Sequence, residues 1–78
     1  MLFRSQQKAL AILRACQLDA PTDPNIAYNL GFILSEQQDK GMLEQLKLVL
    51  DHSKSPRQIF LACEMAINYL IEDRKSVV

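Results

Sequence analysis

The chain has 78 residues, enough for one small domain, and its apolar content of 49% with only two glycines and three prolines argues against disorder. The formal net charge is zero, and residues 6–72 carry six basic and eight acidic side chains, so the sequence offers no basic face for nucleic acid. No apolar run is long enough to span a bilayer. We therefore expect neither nucleic acid nor a membrane as a partner.

The first predicted helix runs from Gln6 to Leu18. Its apolar residues recur at the spacing that places them on one side of a helix. The residues predicted to face inward are Ala9, Leu10, Leu13 and Cys16, with Ile12 widening the stripe. The prolines at positions 21 and 24 end this helix and begin the next, because proline disfavours a helical conformation in the residue before it.

Two more amphipathic helices are predicted in residues 23–54, from Pro24 to about Gln38 and from Gly41 to about Ser53. Asp23 can cap the first of them, and proline suits the position after the cap. The predicted inward residues are Ile26, Ala27, Leu30, Ile33 and Leu34 in the first, and Met42, Leu43, Leu46, Val49 and Leu50 in the second. The segment between them is polar, and its glycine suits a tight connection, which predicts an antiparallel hairpin.

Gly31 interrupts the best-defined helix, where a glycine costs roughly 1 kcal/mol relative to alanine. This position predicts that the backbone of another helix comes close at that point.

The last predicted helix extends from Pro56 to about Glu72, with Ser55 as its cap. One inward stripe consists of Ile59, Ala62, Cys63 and Ala66, while Phe60, Leu61, Met65, Ile67 and Tyr69 make the other sides apolar as well. A helix that is apolar all round is expected to be buried, yet this chain supplies few partners for it. The pattern predicts either a further covering helix or a self-association surface on the segment Ile59–Leu70.

The two ends of the chain predict a non-native origin for residues 1–5 and 73–78. Leu2-Phe3-Arg4-Ser5 is the translation of CTC TTC CGA TCT, and residues 73–78 are the translation of GAT CGG AAG AGC GTC GTG. Both strings resemble the ends of common short-read sequencing adapters on opposite strands. We therefore expect the natural part to be about residues 6–72, an internal piece of a longer reading frame.

The helical pattern recurs with a period near 33 residues. The predicted inward residues of the first helix match those of the third at an offset of 33, and Pro24 matches Pro56 at an offset of 32. Ala27-Tyr28-Asn29-Leu30-Gly31 resembles the first-helix signature of the tetratricopeptide repeat, which has about 34 residues. The second-helix signature of that family is similar to Ala9-Leu10, Leu13, Cys16 and Pro21.

This resemblance implies an all-α fold in which about four helices form antiparallel hairpins stacked as a short α-solenoid. Residues 6–22 correspond to the second helix of a partial repeat, residues 23–54 to a full repeat, and residues 55–72 to the first helix of a following repeat. The implied function is that of a fragment of a protein–protein interaction scaffold, which binds a peptide or helix in a concave groove.

The resemblance also implies which residues line that groove, namely Tyr28, Asn29, Phe32 and Glu36 on the first helix of the full repeat. The alternative is that Tyr28 and Phe32 pack against the first helix of the adjacent repeat. One subtype of the family binds a C-terminal carboxylate, and Asn29 matches its asparagine. Because Phe60 and Leu61 stand where that subtype has basic residues, an apolar or mixed groove is expected instead.

The sequence provides no pattern typical of a catalytic or metal site. His52 is the single histidine, and Cys16 and Cys63 are isolated from each other and from it, so both are interpreted as small core residues. The carboxylates are scattered, and no glycine-rich phosphate loop occurs. We expect no enzymatic activity and no cofactor.

Two alternatives to the scaffold remain. One is a free-standing four-helix protein of the immunity or antitoxin kind, or a dimeric regulator; the other is a helical accessory segment of an enzyme. The compartment is left open, with a cytoplasmic location favoured.

Overall fold

Four α-helices joined by short connections make up the computed structural model, which describes the backbone of residues 2–77 and the side chains of residues 5–72. The helices are α1 (Leu2–Asp19), α2 (Pro24–Glu36), α3 (Gly41–His52) and α4 (Pro56–Val77). No strand occurs among these residues, so the predicted all-α class is confirmed. The molecule measures 41 × 33 × 16 Å, and its smallest dimension corresponds to two layers of helices.

The predicted helices all exist, and the largest differences lie at the outer ends of α1 and α4. Both helices continue further than the hydrophobic pattern indicates, since α1 begins at Leu2 and α4 ends at Val77. The predictions of a non-native origin for residues 1–5 and 73–78 fall almost wholly on side chains outside the described part. They stay predictions.

Side-chain caps explain where α2 and α4 begin. The backbone N–H of Asn25 donates to Asp23 Oδ1 at 2.9 Å, and that of Gln58 donates to Ser55 Oγ at 3.3 Å. Each bond satisfies an N–H group of the first turn that has no partner within the helix, and a proline follows each cap. The two predicted N-caps are confirmed.

The connection between α2 and α3 turns at Gln38, which has a positive φ of 53°. The N–H of Asp39 donates to the carbonyl of Leu34 at 2.9 Å, and the N–H of Gln38 donates to that of Ser35 at 3.0 Å. This pair of bonds is the Schellman motif, whose left-handed residue is most often glycine. The prediction that Gly41 makes the tight turn is therefore wrong, because Gly41 is already the first residue of α3, where its N–H donates to Asp39 Oδ1 at 2.8 Å.

Replacing Gln38 by glycine is expected to raise the free energy of unfolding by about 1 kcal/mol, since a residue with a Cβ is strained in the left-handed region and glycine is not. Chemical denaturation of the purified protein measures this. Gln38→Ala is the matched control, because alanine keeps the Cβ and should give no gain. Equal stability of the two variants would contradict the strain at this position.

The α2–α3 hairpin supplies most of the core. The buried apolar residues are Leu10 of α1, Ala27, Leu30 and Leu34 of α2, Met42, Leu46 and Val49 of α3, and Ala62 of α4. Six of the eight belong to the hairpin, so α1 and α4 are attached to a core that the two central helices build together.

Gly31 is fully enclosed at the contact between α2 and α3. A Cβ built on it would lie 2.9 Å from Cδ2 of Leu46 and 3.7 Å from Cβ of Gln45. The predicted close approach at Gly31 is therefore present, but its nearest neighbours are the side chains of α3 and not the backbone of that helix. The absence of a side chain at position 31 makes room for Leu46.

Three residues predicted to face inward are exposed. Cys16 and Ile12 of α1 lie at the surface, with 64% of Ile12 exposed, because no helix covers that side of α1 within the described chain. Leu50 of α3 is 43% exposed, since it lies about a quarter turn around the helix from the buried stripe that faces α2. The apolar spacing therefore predicted a wider buried face than the helices share.

The helices pack mainly on their neighbours in the sequence. α1 packs on α2, α2 on α3 and α3 on α4, and α2 also contacts α4. Within the described part of the chain, α1 and α4 do not contact each other. The four helices therefore do not close into a ring.

Candidate functional site

An open apolar groove lies between α1 and α2. Its lining residues are Ala9, Ile12 and Leu13 of α1 and Asn29, Phe32 and Ile33 of α2. Its volume is ≈ 410 Å³, within the range of sites that bury a small ligand or a few side chains of a peptide. Asn29 provides the one polar side chain of this lining, so the groove favours an apolar occupant with a single hydrogen-bonding position.

The four predicted groove residues of α2 take different positions. Asn29 and Phe32 line the groove between α1 and α2, and 49% of Phe32 is exposed. Glu36 is exposed near the end of α2, outside this lining. Tyr28 is half-buried and packs against the core, in line with the alternative that it serves packing. The binding role of the four residues stays a prediction.

The contribution of α1 to this groove was missed by sequence reasoning. Ala9 and Leu13 were interpreted as core residues and Ile12 as an extension of the stripe, because apolar residues at helical spacing indicate a covered face. The signal that could have found the groove is the partial first repeat, which leaves this face of α1 without its own first helix.

A second apolar surface runs along α4. Phe60, Ile67, Leu70 and Ile71 are all exposed, and the half-buried Cys63 lies among them. Their spacing places them within about a third of the circumference of the helix. We refer to Phe60, Cys63, Ile67, Leu70 and Ile71 as the outer stripe of α4. The prediction that this helix has too few partners in the chain is confirmed by these exposures.

Polar side chains connect the helices at the other end of the molecule. Gln58 Nε2 of α4 donates to Asn25 Oδ1 of α2 at 2.9 Å, and Ser53 Oγ donates to Gln58 Oε1 at 2.6 Å. Asn25 and Gln58 are 33 residues apart, which is the period of the sequence pattern. The beginnings of α2 and α4 therefore lie side by side.

A second polar link joins α1 to α3. The side-chain amides of Gln17 and Gln45 bond reciprocally, with Gln17 Nε2 donating to Gln45 Oε1 at 2.6 Å and Gln45 Nε2 donating to Gln17 Oε1 at 3.4 Å. The pair is partly buried, which strengthens it relative to a solvated one. The last turns of α1 are thereby held against α3.

The titratable side chains do not converge in a cleft. His52 is exposed at the end of α3, and Cys16 and Cys63 are both free thiols. Among residues 5–72, no three histidine, cysteine, aspartate or glutamate side chains lie close enough together to hold a metal ion. In the same part of the chain, every helix falls short of the length and apolarity needed to cross a membrane.

Comparison with known proteins gives no assignment. No protein-family model matches the chain, nor does any curated protein sequence or any solved structure.

Proposed function

We propose that this chain is a protein-interaction module of stacked, tetratricopeptide-like helical hairpins, and that it binds an amphipathic helix in the groove between α1 and α2. The observation that carries the proposal is the groove itself, in which Ile12 and Phe32 are large apolar side chains with about half or more of their surface exposed. Exposed apolar clefts of this kind commonly mark protein-binding surfaces.

The order of helix contacts supports stacking. Each helix packs on the next, and α2 contacts α4, the helix one period further along the chain. The hydrogen bond between Asn25 and Gln58 ties the starts of these two helices together. A closed four-helix bundle needs its first and last helices in contact, and α1 and α4 are apart in the described chain. The arrangement thus favours open stacking over the free-standing bundle.

The shape of the groove favours a helix as the occupant. Its floor is the seam between two helices, and the small side chain of Ala9 leaves room there, while Ile12 and Phe32 form its sides. An amphipathic helix presents residues at i, i+3, i+4 and i+7 to such a seam, which is the helix-in-groove mode of recognition. Asn29 can then accept or donate one hydrogen bond at the rim.

The test is a titration of the ¹⁵N-labelled protein with a designed amphipathic peptide of leucine and alanine on one face. We expect amide shifts at Ala9, Ile12, Leu13, Phe32 and Ile33 that saturate together. A peptide with the same composition but scrambled order is the control, since it lacks the apolar stripe. Shifts that are absent, or that cluster away from α1 and α2, would contradict the proposed site.

Phe32→Ala is expected to weaken binding of this peptide by about tenfold while leaving the unfolding midpoint nearly unchanged. The half-exposed ring contributes little to the core, but truncation removes apolar area that the peptide covers. Fluorescence anisotropy and thermal unfolding measure the two effects. Glu36→Ala is the companion variant: it tests the predicted role of Glu36 and should change affinity little if the groove alone binds. Unfolding caused by Phe32→Ala would assign Phe32 to the core.

A further inference from the structure

The two exposed apolar surfaces of the molecule correspond to the two sides of a contact that the chain already makes internally. The period of 33 residues relates Ala9, Leu13 and Cys16 of α1 to Met42, Leu46 and Val49 of α3. On α3 these three positions are essentially fully buried, because α2 packs over them. On α1 the first two are half-buried and Cys16 is exposed. The groove is therefore the α1 version of a surface that α2 covers on α3.

The occupant of the covered surface shows what the groove accepts. α2 lies on α3 and simultaneously contacts α4, so it fills the angle between a helix of the α3 type and the next helix in the chain. The groove is the same angle between α1 and α2. The element that fits it is a helix of the α2 type.

The other helix of that type is α4. Its cap and first proline, Ser55 and Pro56, correspond to Asp23 and Pro24 at an offset of 32 residues. At the same offset, Ile59 and Cys63 correspond to Ala27 and Gly31, which are buried against α3. Both α4 residues are only half-buried, and the outer stripe of α4 continues from them along the helix. This face of α4 thus lacks the helix that α3 provides for α2.

The α4 helix cannot reach the groove of its own chain. It packs on α3 and α2, and it makes no contact with α1 within the described residues. A second copy of the chain has no such constraint. The helices alternate between the α1 type and the α2 type, so α4 of one copy followed by α1 of the next continues the alternation without a gap.

We propose that copies of this chain associate head to tail, with the outer stripe of α4 in one copy seated in the α1–α2 groove of the next. This inference rests on the proposed function and names its partner. The contact joins two different surfaces, so a bound pair retains one free groove and one free stripe and continues to grow. Phe60 and Ile67 of one copy then cover Ile12, Leu13 and Phe32 of the other.

Two blocking variants test the proposal by complementation. Phe32→Glu closes the groove and leaves the outer stripe intact, whereas Ile67→Glu closes the stripe and leaves the groove intact. Both side chains are about half exposed, and circular dichroism confirms that each variant folds. Sedimentation velocity at increasing concentration reports the size of the particles. Ile12→Glu and Phe60→Glu form a second pair for the same experiment if either first variant fails to fold.

The expected result has three parts. The wild-type chain forms a series of growing oligomers, each variant alone stays monomeric with association weakened more than about a hundredfold, and an equimolar mixture gives a dimer that grows no further. The weakening follows because a charge is placed in an apolar contact without a partner. The mixture stops at a dimer because its one contact joins the intact stripe of one variant to the intact groove of the other.

Leu18→Glu is the matched control. Leu18 is an exposed apolar residue on the opposite side of α1 from the groove, so its replacement adds the same charge without closing either surface, and this variant should oligomerise like the wild type. Loss of association in Leu18→Glu would overturn the proposal.

Three further outcomes also overturn it. A wild-type chain that is monomeric at all concentrations while the designed peptide binds in the groove refutes the head-to-tail contact and leaves the proposed function standing. A Phe32→Glu variant that still dimerises alone indicates a symmetric α4–α4 pair instead. A monomeric wild type that also fails to bind the peptide refutes both.

Discussion

Leu30→Ala is expected to lower the free energy of unfolding by about 2–5 kcal/mol, the largest effect of any single truncation considered for this chain. Leu30 is completely buried between α2 and α3, where it contacts the core residues of both helices. Its truncation removes the transfer free energy of the side chain and leaves a cavity that two packed helices cannot fill by collapsing. A domain of this size has a total stability of roughly 4–12 kcal/mol, so the loss is a large share of it.

Leu18→Ala is the matched control for that measurement. Leu18 is 84% exposed near the end of α1, so the same chemical change removes almost no buried area there. We expect a difference within about 0.5 kcal/mol of the wild type by urea denaturation. A similar loss in both variants would contradict the assignment of the core to the α2–α3 hairpin.

Gly31→Val is expected to destabilise the protein by about 1–3 kcal/mol. The added Cβ lies 2.9 Å from Cδ2 of Leu46, and the two methyl groups of valine extend further toward α3. Leu46 is itself 1% exposed, so it has no open space to move into. This cost exceeds the gain in helix propensity on replacing glycine, which is below about 1 kcal/mol.

A double-mutant cycle with Leu46→Ala identifies the source of that cost. Truncation of Leu46 opens the space that the introduced valine then occupies, so the double variant should be less destabilised than the sum of the two single variants by at least about 1 kcal/mol. Urea denaturation of the four proteins measures the coupling. Strictly additive changes would show that position 31 is limited by something other than contact with Leu46.

The sequence was most informative where local chemistry decides the structure. The cap and proline pairs at Asp23 and Ser55 predicted the starts of α2 and α4, because capping depends on side chains within three residues of the helix start. The turn at Gln38 was not predictable in the same way. Its left-handed backbone follows from the Schellman bonds that close α2, and glutamine carries no compositional signal for that conformation.

Burial was predicted less well, because it depends on which helices meet. Cys16 and Val49 occupy equivalent places in the pattern, yet Val49 is covered by α2 and Cys16 is exposed. Apolar spacing indicates that a face can be buried, not that a partner is present to bury it. The same limit explains the candidate site. Asn29 and Phe32 were singled out from the resemblance, whereas the α1 side of the groove became visible only once α1 and α2 were placed together.

The central position of the α2–α3 hairpin has a consequence for how the chain opens. Contacts in this molecule join helices that are close in sequence, so loop-closure entropy is small and the hairpin can form before either outer helix docks. Backbone amides of Leu30 and Leu46 should therefore exchange their hydrogens with solvent only on global unfolding. Amides of α1, attached through one buried leucine and one pair of glutamines, should exchange through a partial opening of lower free energy that leaves the hairpin intact.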